Sequence, residues 1–215
     1  AALPIVTQAV IIDGTVEPDF AGTPVIELNG AGAGASSSGI LLGSGSSGST
    51  VKGLVINRFS LSGIRIEGGS GGNLITGNYI GTATTGLLDR GNTKWGLEVS
   101  GGNNVIGGSS AALRNVISGN DVGGVSFNGA PVTGNLLQGN YIGAGSDGTT
   151  AVGNGGYGGV LVLNGASATI GGVGAGLGNL IAYNTGRGLD VRLGTATILG
   201  NAIVGNSSLG IDLGD

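Results

Sequence analysis

The sequence predicts an all-β fold: a right-handed, single-stranded parallel β-helix, a solenoid whose coils stack along one axis. Three observations predict it. A short strand opened by Gly recurs along the chain, an Asn recurs at a fixed step behind an apolar pair, and the composition is rich in Gly but poor in charge and large aromatics.

The opening strand reads GILL from Gly39, GIRI from Gly63, GLEV from Gly96, GVSF from Gly124, GVLV from Gly159, GLDV from Gly188 and GIDL from Gly210. Its intervals are 24, 33, 28, 35, 29 and 22 residues, so about 22 residues make the smallest coil and the excess forms loops. Within these strands residues alternate, with Ile64 and Ile66 inward around Arg65, and Leu189 and Val191 inward around Asp190. Parallel pairing between successive coils satisfies the backbone, and Val, Ile and Leu suffice to fill a narrow interior. Parallel strands joined by crossovers are overwhelmingly right-handed, which sets the expected hand. Counting a start at residues 5–22 and a coil opening near Val25, eight to nine coils are expected, a rod on the order of 40 Å long.

The second signature ends in Asn57, Asn78, Asn120, Asn140, Asn184 and Asn206, in phrases such as NLITGN and NVISGN. Asn tolerates the left-handed backbone region and bonds through its amide. Stacked coils bring such amides roughly 4.8 Å apart, so these six residues are expected to form one ladder at a turn. The longer coils alternate in kind. In one kind the loop follows the Asn, over residues 78–92 and 140–154; in the other it follows Gly107-Gly108 or Gly171-Gly172 and runs to Asn115 or Asn179. Loops of one kind lie two coils apart and are expected on one edge of the rod.

The chain of 215 residues holds 51 Gly but only 4 Pro, with no Gly at every third position, so it is not collagen-like. Hydrophobic residues make up 40% and charged residues 9%, which argues against disorder driven by self-repulsion. No linker divides residues 1–215, and they are read as a single domain. Apolar runs such as AVII and VLVL fall far short of the ~18 residues of a membrane span. A formal charge of −4 without a basic cluster argues against nucleic acid as a partner. With no Cys, His or Met, disulfides, zinc and haem sites, Ser-His-Asp triads and Cys nucleophiles are excluded. Any metal would be a hard cation such as calcium on oxygen ligands, and no DxDxDG loop is present for it. No cofactor is expected.

The phrases AVIIDGTVEPDFAGTPVIELNGAGAG, GLVINRFSLSGIRI, GNLITGNYIGT, RNVISGNDVGGV, GNYIGAGSDGT and GIDLGD resemble repeats of bacterial extracellular right-handed β-helix proteins, the CSLREA-associated surface proteins. The resemblance covers nearly the whole chain. It implies the pectate-lyase-like superfold and placement outside the cell or on its surface; the CSLREA segment is absent, which suggests a piece of a larger exported protein. That superfold includes lyases, hydrolases and epimerases of polysaccharides as well as adhesins without chemistry, so fold alone does not assign activity.

Relatives with activity resemble one another in clustering acids on an outer strand face. The outward row here reads Glu27, Leu41, Arg65, Glu98, Ser126, Leu161, Asp190 and Asp212, with Glu67 beside Arg65 and Arg192 beside Asp190. Either trio, Arg65 with Glu67 and Glu98 or Arg192 with Asp190 and Asp212, could supply an acid and a base, since glycoside hydrolysis needs two carboxyl groups roughly 5 to 10 Å apart, and Arg65, Glu67 and Glu98 are taken as the candidate catalytic residues. The alternative is charge pairing on a solvated face. Asp89 and Asp147 occupy the protruding loops at different positions, a poor basis for a shared cation site. Trp95 and Tyr157 each stand just before an opening strand, 62 residues apart, so their rings are expected two coils, roughly 10 Å, from each other. With Arg65 and Glu98 they form the candidate ligand site, because aromatic faces beside polar groups suit sugar rings.

The sequence reads as a non-enzymatic structural, adhesive or scaffold module of a secreted or surface protein, with polysaccharide or cell-surface glycan as the expected partner. The alternatives are a carbohydrate-active enzyme, a lyase, hydrolase or epimerase, and a fibre segment associating head to tail through its coil ends. GIDLGD begins a coil and stops, so neighbouring domains or further coils are also expected partners.

Overall fold

The computed structural model describes residues 2–130 and 132–214; Asp215, the last residue of the GIDLGD phrase, lies outside them. Each coil contributes one strand to each of three parallel sheets, and among the described residues every sheet has seven strands. Sheet 1 runs through Ile11–Asp13, Thr50–Lys52, Leu74–Thr76, Val105–Gly107, Asn135–Gln138, Ser167–Gly171 and Thr195–Leu199. Sheet 2 runs through Ile26–Asn29, Leu54–Asn57, Tyr79–Ile80, Val116–Ile117, Tyr141–Ile142, Leu180–Ala182 and Ala202–Val204. Sheet 3 holds the opening strands, from Ile40–Leu42 to Ile211–Asp212. The fold is a parallel β-helix.

The coil count is seven, not eight to nine. The segment near Val25 does not start a separate coil, because Ile11–Asp13 and Ile26–Asn29 are the sheet 1 and sheet 2 strands of the same coil that ends in Ile40–Leu42, and the segment near Ile5 adds only a single parallel bridge, Val6 to Leu42, beneath that coil. Six steps at ~4.8 Å give a rod of about 30 Å rather than 40 Å.

Register follows from what each strand buries. In sheet 2, Leu28, Ile56, Ile80, Ile117, Ile142, Ile181 and Ile203 occupy one column. Sheet 1 stacks Ile12, Val51, Ile75, Ile106, Leu137, Ile170 and Ile198 in the same way. Sheet 3 supplies two columns, which include the fully buried Ile64, Leu97 and Val125 and Ile66, Val99 and Phe127. A shift of one residue would turn a whole column to solvent, so these columns fix the register. The alternation expected for the opening strands therefore holds.

The opening Gly is explained by crowding at the corner that precedes sheet 3. A Cβ on Gly124 would stand 2.5 Å from the Gly159 carbonyl oxygen, 2.7 Å from the Ile142 side chain and 3.2 Å from the Asn154 amide. Any larger residue would push coils apart. The loops over 78–92 and 140–154 do leave from one edge and touch: the Ser146 N–H donates to the Gly86 carbonyl at 3.0 Å and its hydroxyl to that of Thr85 at 2.9 Å.

Candidate functional site

Buried Asn marks all three corners of the coil. The predicted single ladder resolves into parts of two, and a third was not foreseen. Before sheet 2 the ladder comprises Asn78, Asn115, Asn140, Asn179 and Asn201; before sheet 3 it comprises Asn92, Asn120, Asn154, Asn184 and Asn206. A shorter one before sheet 1 links Asn73, Asn104 and Asn135. Asn57 joins none of them. It ends a sheet 2 strand, and its amide donates to Glu27 at 2.8 Å and to the Thr82 carbonyl at 2.9 Å.

Each step has the same polarity. The Oδ1 of Asn140 accepts the backbone N–H of Asn115 at 3.2 Å and its Nδ2 at 2.9 Å, while Asn140 Nδ2 donates to Asn179 Oδ1 at 3.0 Å and to the Ile106 carbonyl at 2.9 Å. One side chain thus satisfies groups in three coils, which is what buried amides require. At the N-terminal end the ladders stop on other residues: the N–H of Leu54 donates to Asn78, that of Phe59 to Asn92 and that of Ser49 to Asn73.

The outer face of sheet 3 aligns Leu41, Arg65, Glu98, Ser126, Leu161, Asp190 and Asp212 in one row, as the alternation implied. Glu27 is not on it. It belongs to sheet 2 opposite Val55, because the strand near Val25 is not an opening strand. Arg65 lies between the two candidate acids, 3.9 Å from Glu67 and 4.0 Å from Glu98, and Glu98 also accepts from the Ser62 hydroxyl at 3.1 Å. These are loose, half-exposed contacts. At the C-terminal end the row tightens. Asp190 is fully buried; Arg192 grips it with Nε at 3.1 Å and Nη2 at 2.7 Å, and Arg187 reaches it at 3.3 Å. Arg187 also pairs with Asp212, whose carboxyl is held below its ordinary range first by the Gly214 N–H and then by the two guanidinium groups.

Trp95 and Tyr157 do not stand two coils apart as separate platforms. Their rings stack on each other, with centroids 5.8 Å apart and planes inclined by 20°. The coil between them places Gly123 in register with Trp95, and the indole lies across that bare backbone where a Cβ would collide with it. Tyr157 then meets the indole, and the Arg192 guanidinium carbon lies 5.7 Å from the phenol centroid. The result is one strip along the rod: indole, phenol, guanidinium. Arg65 and Glu98, the other two candidate ligand residues, lie on the same outer face, Glu98 on the Trp95 strand.

The loop acids serve their own turns. Asp147 accepts from the N–H groups of Thr149 and Thr150 at 2.9 and 2.8 Å and from the Thr150 hydroxyl at 2.7 Å, which holds it well below the usual carboxylate range. Asp89 accepts from the Gly91 N–H at 2.8 Å. Among the described residues no three Asp, Glu, His or Cys side chains converge as a metal site, and no helix is long and apolar enough to cross a membrane.

Comparison with known proteins gives no matching family model, no matching curated protein and no matching solved structure. Its architecture alone therefore gives the class: a parallel β-helix protein stapled by asparagine ladders at its corners.

Proposed function

We propose that this chain is a rigid, non-enzymatic β-helix module of an exported bacterial surface protein, a scaffold whose outer face binds glycan weakly. The observation that carries the scaffold reading is the run of five-membered ladders along two corners, which ties successive coils through buried amides. Such a rod resists bending because each coil is bonded to both neighbours by backbone and side chain at once. The resemblance of GNYIGAGSDGT and its companion phrases to CSLREA-associated, pectate-lyase-like repeats supports the extracellular placement.

The glycan reading rests on the Trp95–Tyr157 stack. It offers an apolar surface beside Arg192 and, farther along, Glu98 and Arg65, a combination on which a sugar ring can both stack and hydrogen-bond. Catalysis asks for more, a general acid and a general base each positioned on the substrate, whereas here both candidate carboxylates lie against the same guanidinium. The test is a polysaccharide panel including pectin, alginate and chitin, with and without calcium, read by Trp fluorescence and by new reducing or unsaturated ends. Weak, saturable quenching that disappears in Tyr157→Ala, without new ends, is expected. Product formation abolished by Glu67→Gln or Glu98→Gln would replace the scaffold with an enzyme, and silence from every glycan would remove the binding strip.

A further inference from the structure

Midway along the rod, the outer face of sheet 2 carries a groove. Its strands there are two residues long, Tyr79–Ile80, Val116–Ile117 and Tyr141–Ile142. The three Ile fill the interior, so Tyr79, Val116 and Tyr141 form the outward row. The loops over 78–92 and 140–154 rest on the two phenols. A Cβ on Gly86 would stand 2.8 Å from the Tyr79 ring, and one on Gly148 would stand 3.1 Å from the Tyr141 ring; both glycines have positive φ. Only glycine lets the loop backbone lie this close in that conformation.

The corner before sheet 2 is glycine at Gly53, Gly77, Gly139, Gly178 and Gly200, but in one coil it is Arg114. That coil reaches the corner through the short 3-10 helix Ala111–Leu113, and Arg114 takes a φ of −65° where Gly53, Gly77, Gly139 and Gly200 are positive. The Arg114 guanidinium carbon lies 4.1 Å from the Tyr141 centroid, and its Nε donates to the Gly139 carbonyl at 3.1 Å. These contacts hold the guanidinium in place yet use one of its five N–H donors. No carboxylate pairs with it among the described residues. Asp147 lies nearby in sequence, but its oxygens accept from Thr149 and Thr150 of its own turn.

Arg114 and Ser146 share a groove of about 190 Å³ with Phe20, Pro24, Tyr79 and Val116. Phe20 and Pro24 come from the first coil and Ser146 from the loop over 140–154, so the stacking of coils assembles the groove from segments far apart in the chain. Its lining is mostly apolar, and its one charged residue is the unpaired Arg114.

We propose that this groove binds a small aromatic carboxylate, its ring against Phe20, Tyr79 and Val116 and its carboxylate on the open N–H groups of Arg114. A guanidinium presents paired donors that match a carboxylate. The volume falls below the roughly 300–1,000 Å³ of sites for drug-sized ligands, so a single ring fills it. A sugar acid would bring several hydroxyls to a site where Tyr79 and Ser146 are the only other polar side chains, and would leave some of them unpaired. The groove lies on a different sheet from the Trp95–Tyr157 strip and does not depend on it.

The probe is benzoate, titrated into the full chain and followed by amide and guanidinium NMR. Benzamide carries the same ring without the charge, and glucuronate carries the charge on a sugar ring. Saturable shifts are expected at the Arg114 Nε–H and the Val116 N–H, with the Trp95 indole N–H unmoved. Binding should be about tenfold weaker or more for benzamide and for Arg114→Gln, the loss of a charge-assisted contact. Arg114→Gln also gives up the contacts to Gly139 and Tyr141, so Phe20→Ala serves as a second variant that removes a wall of the groove and leaves the corner intact. It should weaken benzoate binding with little change in the urea midpoint. Equal binding of benzoate and benzamide, no loss in either variant, or no shift at Arg114 would overturn the proposal. Tighter binding of glucuronate than of benzoate would overturn it too, and would give the groove to acidic sugars.

Discussion

The corners of the coil and the outer face of sheet 3 both carry polar side chains in stacked rows, yet they differ in what those side chains touch. At a corner, Asn140 is fully buried and bonds coils on both sides of its own within a 3.2 Å limit. On the face, Arg65 approaches Glu67 and Glu98 only to 3.9 and 4.0 Å and remains partly solvated. A row of identical spacing is thus a structural spine where water is excluded and a weak charge pattern where it is not. Burial, rather than repetition, decides which row holds the rod together.

The largest expected effect tests that difference directly. Asn140→Ala strands the N–H and amide of Asn115 and the Ile106 carbonyl inside the rod, and Asn184→Ala does the same one corner on. Each is expected to cost about 1–3 kcal/mol in urea denaturation. Because ladder members share partners, an Asn115/Asn140 double-mutant cycle should be clearly non-additive. Equal losses at Asn140 and Glu98 would erase the distinction between corner and face.

Asp190 sharpens the comparison from the other side, since it sits on the outer row but is fully buried under two arginines. Asp190→Ala is expected to cost about 1.5–3 kcal/mol, the range for hydrogen bonds to charged groups. Glu98→Ala, in the same row but partly solvated, should cost less than about 1 kcal/mol. Matched denaturation curves for the two variants would show that position on the face, and not burial, governs the outcome.

How much of this was legible in the sequence depends on which repeat is followed. The Gly-opened strands, their alternation and their outward row from Leu41 to Asp212 were readable, because a period of two that starts from a recurring Gly leaves little freedom whatever the loop length between coils. The ladders were misaligned because one phrase serves different corners. NLITGN carries Asn73 and Asn78 before sheets 1 and 2, whereas NVISGN carries Asn115 and Asn120 before sheets 2 and 3. The available signal was the YIG that follows Asn78 and Asn140 but not Asn120, Asn184 or Asn206. Stacking of Trp95 on Tyr157 was hidden for another reason: strand spacing locates backbones, and the indole leans across Gly123, where no side chain holds it upright.

The smallest effect concerns acid, and it lies at the charged N-terminal edge. Asp13 accepts from the Thr15 hydroxyl at 2.6 Å and the Thr15 N–H at 2.9 Å, and its other oxygen pairs with Lys52 at 2.9 Å. These contacts lower its pKa from 3.8 to about 2, with the Thr15 hydroxyl the leading cause and Lys52 next. A carboxyl depressed on folding stabilises fully above its unfolded pKa, and that contribution is lost as pH falls from about 4 through about 2. Asp147 and Asp212 are shifted in the same direction and add to the loss, while Asp121, raised by burial and by the charge of Asp89, works against it. A carboxyl-carbon NMR titration should therefore place Asp13 near 2, with Thr15→Val moving it upward more than Lys52→Gln. The reverse order would make the ion pair the dominant contact and show that even the exposed rim of the rod depends on charge more than on hydrogen bonding.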